Sequence, residues 1–131
     1  MLEKFDLDFL DNLDPPVLYD ILLENGRIEV VDNKAELLHL QNEENKVHGC
    51  QSLVWINRYD TGEWIWYSNA VLVQGLLNVI MRHVQDMSDE TILNLDLEND
   101  FAFICPTNIT TGRVNGMKSV IKKLKNIVKE R

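Results

Sequence analysis

Cysteine is scarce in this chain, which has two residues of it, Cys50 and Cys105, in a length of 131. Two are too few for a disulfide framework, and no CxxC pair is present to suggest a redox dithiol. Metal chemistry is short of ligands as well. A zinc or iron–sulfur site draws on three or four Cys or His side chains. The remaining candidates, His39, His48 and His83, do not fall at a metal-binding spacing. Long apolar runs are missing too. The longest, from Ala70 to Val84, is broken by Gln74, Asn78 and Arg82, and it is shorter than the ~20 residues a membrane helix needs. The first residues, "MLEKFDLDFLD", are acidic where a secretory signal is basic. Internal repeats, low-complexity stretches and linkers are also lacking. The expectation is a cytoplasmic protein without a membrane partner, folding as one domain over residues 1–131.

Basic charge is scarce outside one end. Residues 1–112 carry 20 acidic and 6 basic side chains, whereas residues 113–131 carry 7 basic and 1 acidic. A basic tail is one signature of nucleic-acid binding. Here the lysines suit the C-terminal end of a helix, and the acidic remainder would repel a phosphate backbone. No nucleic-acid partner is expected. The net charge of −8 fits a protein partner with a basic patch.

The residues present form clear elements. "DPPVLYDILLENG" (14–26) reads as a helix with a capping Asp14, prolines in the first turn and Gly26 as its stop. Leu18, Ile21 and Leu22 share one of its faces. Residues 32–41 suggest a second, short helix, and "QNEENK" (41–46) a polar loop. From Leu53 the pattern becomes extended. "WIWYS" (64–68) returns after the turn "DTGE" (60–63), which makes a β-hairpin. Trp64 and Trp66 fall on one face and Ile65 and Tyr67 on the other. These aromatics suit sheet packing. Residues 68–84 read as a helix capped by Ser68 or Asn69, with Gln74, Asn78 and Arg82 as a thin solvated stripe. Gly75 within it suggests a close helix–sheet contact. Ser88 caps a further helix, and residues 97–105 suggest another. The last helix follows "NITTGR" (108–113). It sets Met117, Val120, Ile121, Leu124, Ile127 and Val128 against Lys118, Lys122, Lys125 and Lys129. The expected class is α+β, a small antiparallel sheet built on the hairpin and packed against several helices.

Cys105 closes "FAFIC" and reads as an inert core thiol. Cys50 differs, because "VHGCQSLVW" (47–55) places it where a loop becomes a strand. Gly49 gives backbone freedom, Gln51 and Ser52 suit a bend, and His48 would lower the thiol pKa if protonated nearby. Several uses remain open for one loop thiol. An independent cysteine-dependent transferase or hydrolase needs a base and an oxyanion hole, and no second Cys–His signature is present. A carrier needs one nucleophilic thiolate and no more. A protein that adapts a partner enzyme needs no chemistry at the thiol.

At "VHGCQSLVW" the chain resembles the SufE family, the sulfur acceptors of iron–sulfur cluster assembly, whose motif runs Val/Ile-x-Gly-Cys-Gln/Glu-Ser-x-Val-Trp. "SNAVLVQGLL" (68–77) and "TGRVNGM" (111–117) resemble two further family blocks in the right order. Asn69 stands where the family commonly has Asp, and Thr-Thr-Gly where a proline commonly precedes the arginine. The resemblance implies a SufE/IscU-like fold and a persulfide-forming thiol at Cys50, supported by the loop residues Gly49, Gln51 and Ser52. His48 and Arg113 are candidate modulators. It implies sulfur received from a cysteine desulfurase of the SufS or CsdA type, which is stimulated in return, and passed to a scaffold of the SufB type. No cofactor is expected on this chain, since pyridoxal phosphate belongs to the desulfurase. A persulfide left exposed is easily reduced or over-oxidised. Cys50 is therefore expected to be largely buried in the free protein, in a pocket walled by Leu53, Trp55, Trp64 and Trp66, and released on the partner.

Overall fold

The computed structural model describes residues 6–27, 34–104 and 111–130. Among these residues, seven helices and one hairpin follow in the order α1 (Leu7–Asp11), α2 (Pro15–Gly26), α3 (Lys34–Leu40), β1 (Val54–Arg58), β2 (Trp64–Ser68), α4 (Val71–Val84), α5 (Asp89–Leu93), α6 (Leu97–Asp100) and α7 (Thr111–Lys129), with a 3₁₀ turn at Ala102–Ile104. This is the expected α+β arrangement, an antiparallel pair of strands covered by helices. Helix α1 is an addition to the expected elements, a single turn capped by the Asp6 carboxylate on the amides of Asp8 and Phe9.

Strands β1 and β2 pair with Val54 opposite Ser68 and Arg58 opposite Trp64. Gly62 supplies the positive φ of 97° that the connecting turn requires. The pleat sends alternate residues to opposite faces. Ile56, Trp64 and Trp66 enter the main core beneath the sheet, while Trp55 and Ile65 join Leu40 in a smaller cluster under α3. Trp55 stacks on Tyr67 there at 6.0 Å. On the outer edge of β2 the Gln85 side chain takes both backbone groups of Trp64, each at 3.3 Å. That blunts an edge otherwise open to a further strand.

Helix α4 runs through the middle of the molecule, and two expectations about it are corrected. Ser68 and Asn69 do not cap it. The N-cap is Ala70, which has no side chain to bond the first turn, and the Ser68 hydroxyl instead accepts from the Ala70 amide. The Gln74–Asn78 stripe is not solvated: Asn78 is 0% exposed and Gln74 8%. Burial of amides in an apolar core is tolerable only with hydrogen bonds, and these form a chain. Gln74 accepts from the Ser68 amide at 2.7 Å and donates to Asn78 at 2.8 Å. The Trp66 indole donates to Asn78 Oδ1 at 2.9 Å, and Asn78 Nδ2 donates to the Asn25 carbonyl at 2.9 Å. The polar stripe thus ties sheet, α4 and α2 together.

Gly75 does make a close contact, but between helices. A Cβ built on it would run into the Leu22 carbonyl of α2, and one built on Gly26 would run into the Val71 carbonyl of α4. The two glycines let α2 and α4 cross with their backbones nearly touching. Asp14 does sit at the N-cap of α2, with prolines in the first turn but without a side-chain capping bond. The helix expected over 97–105 divides into α6 and the 3₁₀ turn, and Cys105 lies outside the described residues. Helix α7 starts earlier than expected, so that Gly112 and Arg113 belong to its first turn. Its face of Met117, Val120, Ile121, Leu124 and Val128 is buried. No helix among the described residues is long and apolar enough to cross a membrane.

Candidate functional site

The loop carrying Cys50 is closed at its base by backbone pairing. The Val47 amide donates to the Val54 carbonyl at 2.8 Å and the Ile56 amide to the Asn45 carbonyl at 2.9 Å, with Lys46 bridged to Trp55. Residues 45–47 thus run beside β1 as a short third row. Val47 and Val54 are buried at the neck, 2% and 0% exposed, which fixes the loop of residues 48–53 to the sheet at both ends. Gly49 turns that loop with φ of 98°, a left-handed conformation that costs other residues energy.

The loop lies along α7, and the register is carried by small residues. Gly112 faces the Gln51 side chain, Gly116 faces Cys50, and Ser119 faces Gly49. One turn on, Lys123 donates to the Glu44 carbonyl at 2.7 Å. Positions 112, 116, 119 and 123 share one helical stripe. A Cβ on Gly116 would stand 3.4 Å from Cys50 Sγ, so the glycine leaves room for the sulfur with little to spare.

Cys50 is partly buried in this seat, and its S–H donates to the Gly116 carbonyl at 3.2 Å. Burial pushes the thiol pKa up from its ordinary value, because the thiolate would lose hydration there. A cavity of about 30 Å³ adjoins the sulfur. Gln51 and Ser52 of the loop, Val73 of α4, and Arg113 and Met117 of α7 line it together with the two α7 glycines. A water-sized atom needs about 10–15 Å³ by this measure, so there is room beside Cys50 for about one further atom of sulfur size.

Of the residues singled out from sequence, Cys50, Gly49, Gln51, Ser52 and Arg113 come together here. His48 does not join them. Its Nε2 lies 3.0 Å from Glu43 Oε1 on an exposed stretch, and the upward shift of the thiol has burial as its cause. The expected wall of Leu53, Trp55, Trp64 and Trp66 is also absent. Leu53 is 41% exposed, and the tryptophans are committed to the two sheet clusters. The wall is helical instead, with Val73 of α4 and Gly112, Gly116 and Met117 of α7; in the sequence Met117 reads as a core residue, and neither Val73 nor Gly112 by itself marks a site. Small residues at 112, 116 and 119 in a helical spacing were the available signal.

Comparison with known proteins agrees with the motif. Residues 19–128 match the family model SufE, described as an Fe-S metabolism associated domain. An uncharacterized SufE-like protein of Rhizobium etli is 28% identical over 134 aligned positions, which cover 96% of this chain and 86% of that protein. The chain belongs to the SufE family and its domain is one associated with iron–sulfur metabolism.

Proposed function

We propose that this protein carries sulfur for iron–sulfur cluster assembly, with Cys50 as the atom-bearing residue and residues 1–131 acting as one SufE-like domain in the cytoplasm. The donor is the persulfide of a pyridoxal-phosphate-dependent cysteine desulfurase of the SufS or CsdA type. The Cys50 thiolate attacks the outer sulfur of that persulfide. The new S–S bond forms on Cys50, the donor's S–S bond breaks, and the donor's own cysteine leaves as a thiolate. Cys50 then holds a persulfide, Cys50–S–SH, for transfer to a scaffold of the SufB type, and clearing the donor in this way stimulates it. Thiolate fraction, leaving group and access set the rate of such exchange. This chain supplies no cofactor to the step.

The observation that carries the reading is the placement of Cys50 at the tip of a loop pinned at its neck by Val47 and Val54. The tip can move while the neck stays on the sheet. A seated thiol with a raised pKa reacts slowly, which suits a carrier that reacts when docked. The adjoining cavity offers cover for one extra sulfur. The hydrolase alternative loses its nearest base, since His48 is engaged with Glu43 and no His, Asp or Glu among the described residues lines the cavity. The acidic body favours docking on a basic partner surface.

A desulfurase assay with and without this protein separates carrier from adaptor. A carrier loses its stimulation in Cys50→Ala while remaining folded and bound to the desulfurase. Stimulation that survives the substitution would assign the protein an adaptor role instead.

A further inference from the structure

We infer that Gly116 is a positioning residue for Cys50: its carbonyl holds the thiol in the α7 seat in the protonated form alone, so that losing the proton and leaving the seat are one event. This rests on the carrier reading and adds to it a control on when the nucleophile exists.

The geometry carries the inference. The Gly116 oxygen is an acceptor and nothing else, and the sulfur at 3.2 Å approaches it as a donor. A thiolate has no proton to offer. At the same place it would set a full negative charge against the negative end of a carbonyl dipole, in a partly buried seat. The pair is attractive for S–H and repulsive for S⁻. The proton goes to solvent when the loop lifts, and the carbonyl keeps its bond within the helix, so nothing else need change.

On α7, Arg113 lines the cavity. A thiol governed by that guanidinium would have its pKa depressed, whereas burial drives it upward. On α4 the lining residue is Val73, which carries no charge. In the loop, His48 is turned to Glu43. Lys123 reaches the Glu44 carbonyl at the far end of the stripe. The seat therefore favours the neutral thiol. The seated loop is accordingly fully favoured below the ordinary thiol pKa of about 8.5 and is lost as pH rises through the raised value.

Gly116 can be tested because its neighbour distances are graded. A single methyl would reach ordinary contact at 3.4 Å from Sγ, so Gly116→Ala keeps the seat. Gly116→Val adds branched carbons that need the sulfur's place. Valine is no poorer a helix former than glycine, so α7 itself is preserved.

Two readouts on the isolated, full-length protein decide the matter, and neither uses sulfur transfer. The first is the infrared S–H stretch of Cys50, assigned by its loss in Cys50→Ser. In the unsubstituted protein the band should lie at the lowered frequency of a bonded thiol and vanish with rising pH. In Gly116→Val it should move to the frequency of an unbonded thiol, and in Arg113→Gln it should stay bonded. The second is the pH profile of Cys50 alkylation by iodoacetamide. Gly116→Val should move its midpoint down toward that of an ordinary thiol and speed the reaction several-fold at neutral pH. An unbonded S–H in the unsubstituted protein overturns the inference, and needs no variant to do so. A folded Gly116→Val with an unchanged band and profile also overturns it. If Cys50 shows the bonded band yet accepts no sulfur from a desulfurase, the carrier reading fails and the latch stands.

Discussion

The same substitution, glycine to alanine within a helix, should have opposite effects at Gly75 and Gly116. Alanine is the better helix former by about 1 kcal/mol, and that gain is available at both sites. At Gly75 the new methyl would meet the Leu22 backbone, with the Leu22 carbonyl carbon at 2.8 Å and the Gly26 amide nitrogen at 3.3 Å. Backbone does not rotate out of the way, so α2 and α4 must separate and loosen the packing along α4. Overpacking of this kind costs about 1–3 kcal/mol. A backbone clash belongs at the upper end, so the net loss after the helix gain is about 2 kcal/mol. At Gly116 the nearest atom is Cys50 Sγ at 3.4 Å, an ordinary contact. There the helix gain survives, and Gly116→Ala should be more stable by up to about 1 kcal/mol. For a chain of this size, 1 kcal/mol moves the melting temperature by about 3–4 °C. Gly75→Ala should therefore melt about 6–8 °C lower, and Gly116→Ala a few degrees higher by the same scale. Thermal melts followed by far-UV circular dichroism measure both shifts, and urea melts the underlying stability differences. A Gly75→Ala protein as stable as the parent would refute the close crossing of α2 and α4.

Three further outcomes follow from the buried polar chain, the outer sheet face and α7. Asn78→Leu leaves the Trp66 indole N–H, the Gln74 amide and the Asn25 carbonyl buried without their partner, which should cost about 3 kcal/mol in a denaturant melt; a neutral result would show that these groups are not held by Asn78. Tyr59 should titrate late, pushed up to about 12 by desolvation and by its 2.9 Å bond to Glu36 together with the charges of Glu36 and Glu63. Any stability from that bond is fully present below the ordinary tyrosine value of about 10 and is lost as pH rises through about 12; an ultraviolet titration should show the late phase of Tyr59, and Glu36→Gln should move it back toward the ordinary value. Lys118 and Lys122 are exposed on α7, yet the acidic body should prevent tight duplex binding at physiological salt, and binding that is lost on neutralising Lys118, Lys122 and Lys125 would contradict this.

Much of the fold was legible because period and turn chemistry agree. The Trp64–Trp66 and Ile65–Tyr67 alternation placed each residue on its correct face, and the spacing of Met117, Val120, Ile121, Leu124 and Val128 gave the buried face of α7. What failed to show was tertiary in origin. Gln74 and Asn78 read as a wet stripe because nothing local reveals that Trp66, the Ser68 amide and Asn25 will converge on them. Gly75 announced a close approach but not its partner, which lies on a helix some fifty positions away in sequence. At the site, the motif around Cys50 was plain. Its wall was not, because apolar bulk nearby in sequence went into the sheet clusters while the seat was made by an absence of side chain at Gly112 and Gly116.

The most direct measurement of the central claim is intact-mass analysis of this protein after incubation with a cysteine desulfurase and cysteine, followed by peptide mapping. The carrier reading predicts the added mass of one sulfur atom per chain, located on Cys50, removed by a thiol reductant and absent in Cys50→Ser. Sulfur found on Cys105 instead, or no added mass while the desulfurase turns over and is stimulated, would contradict it.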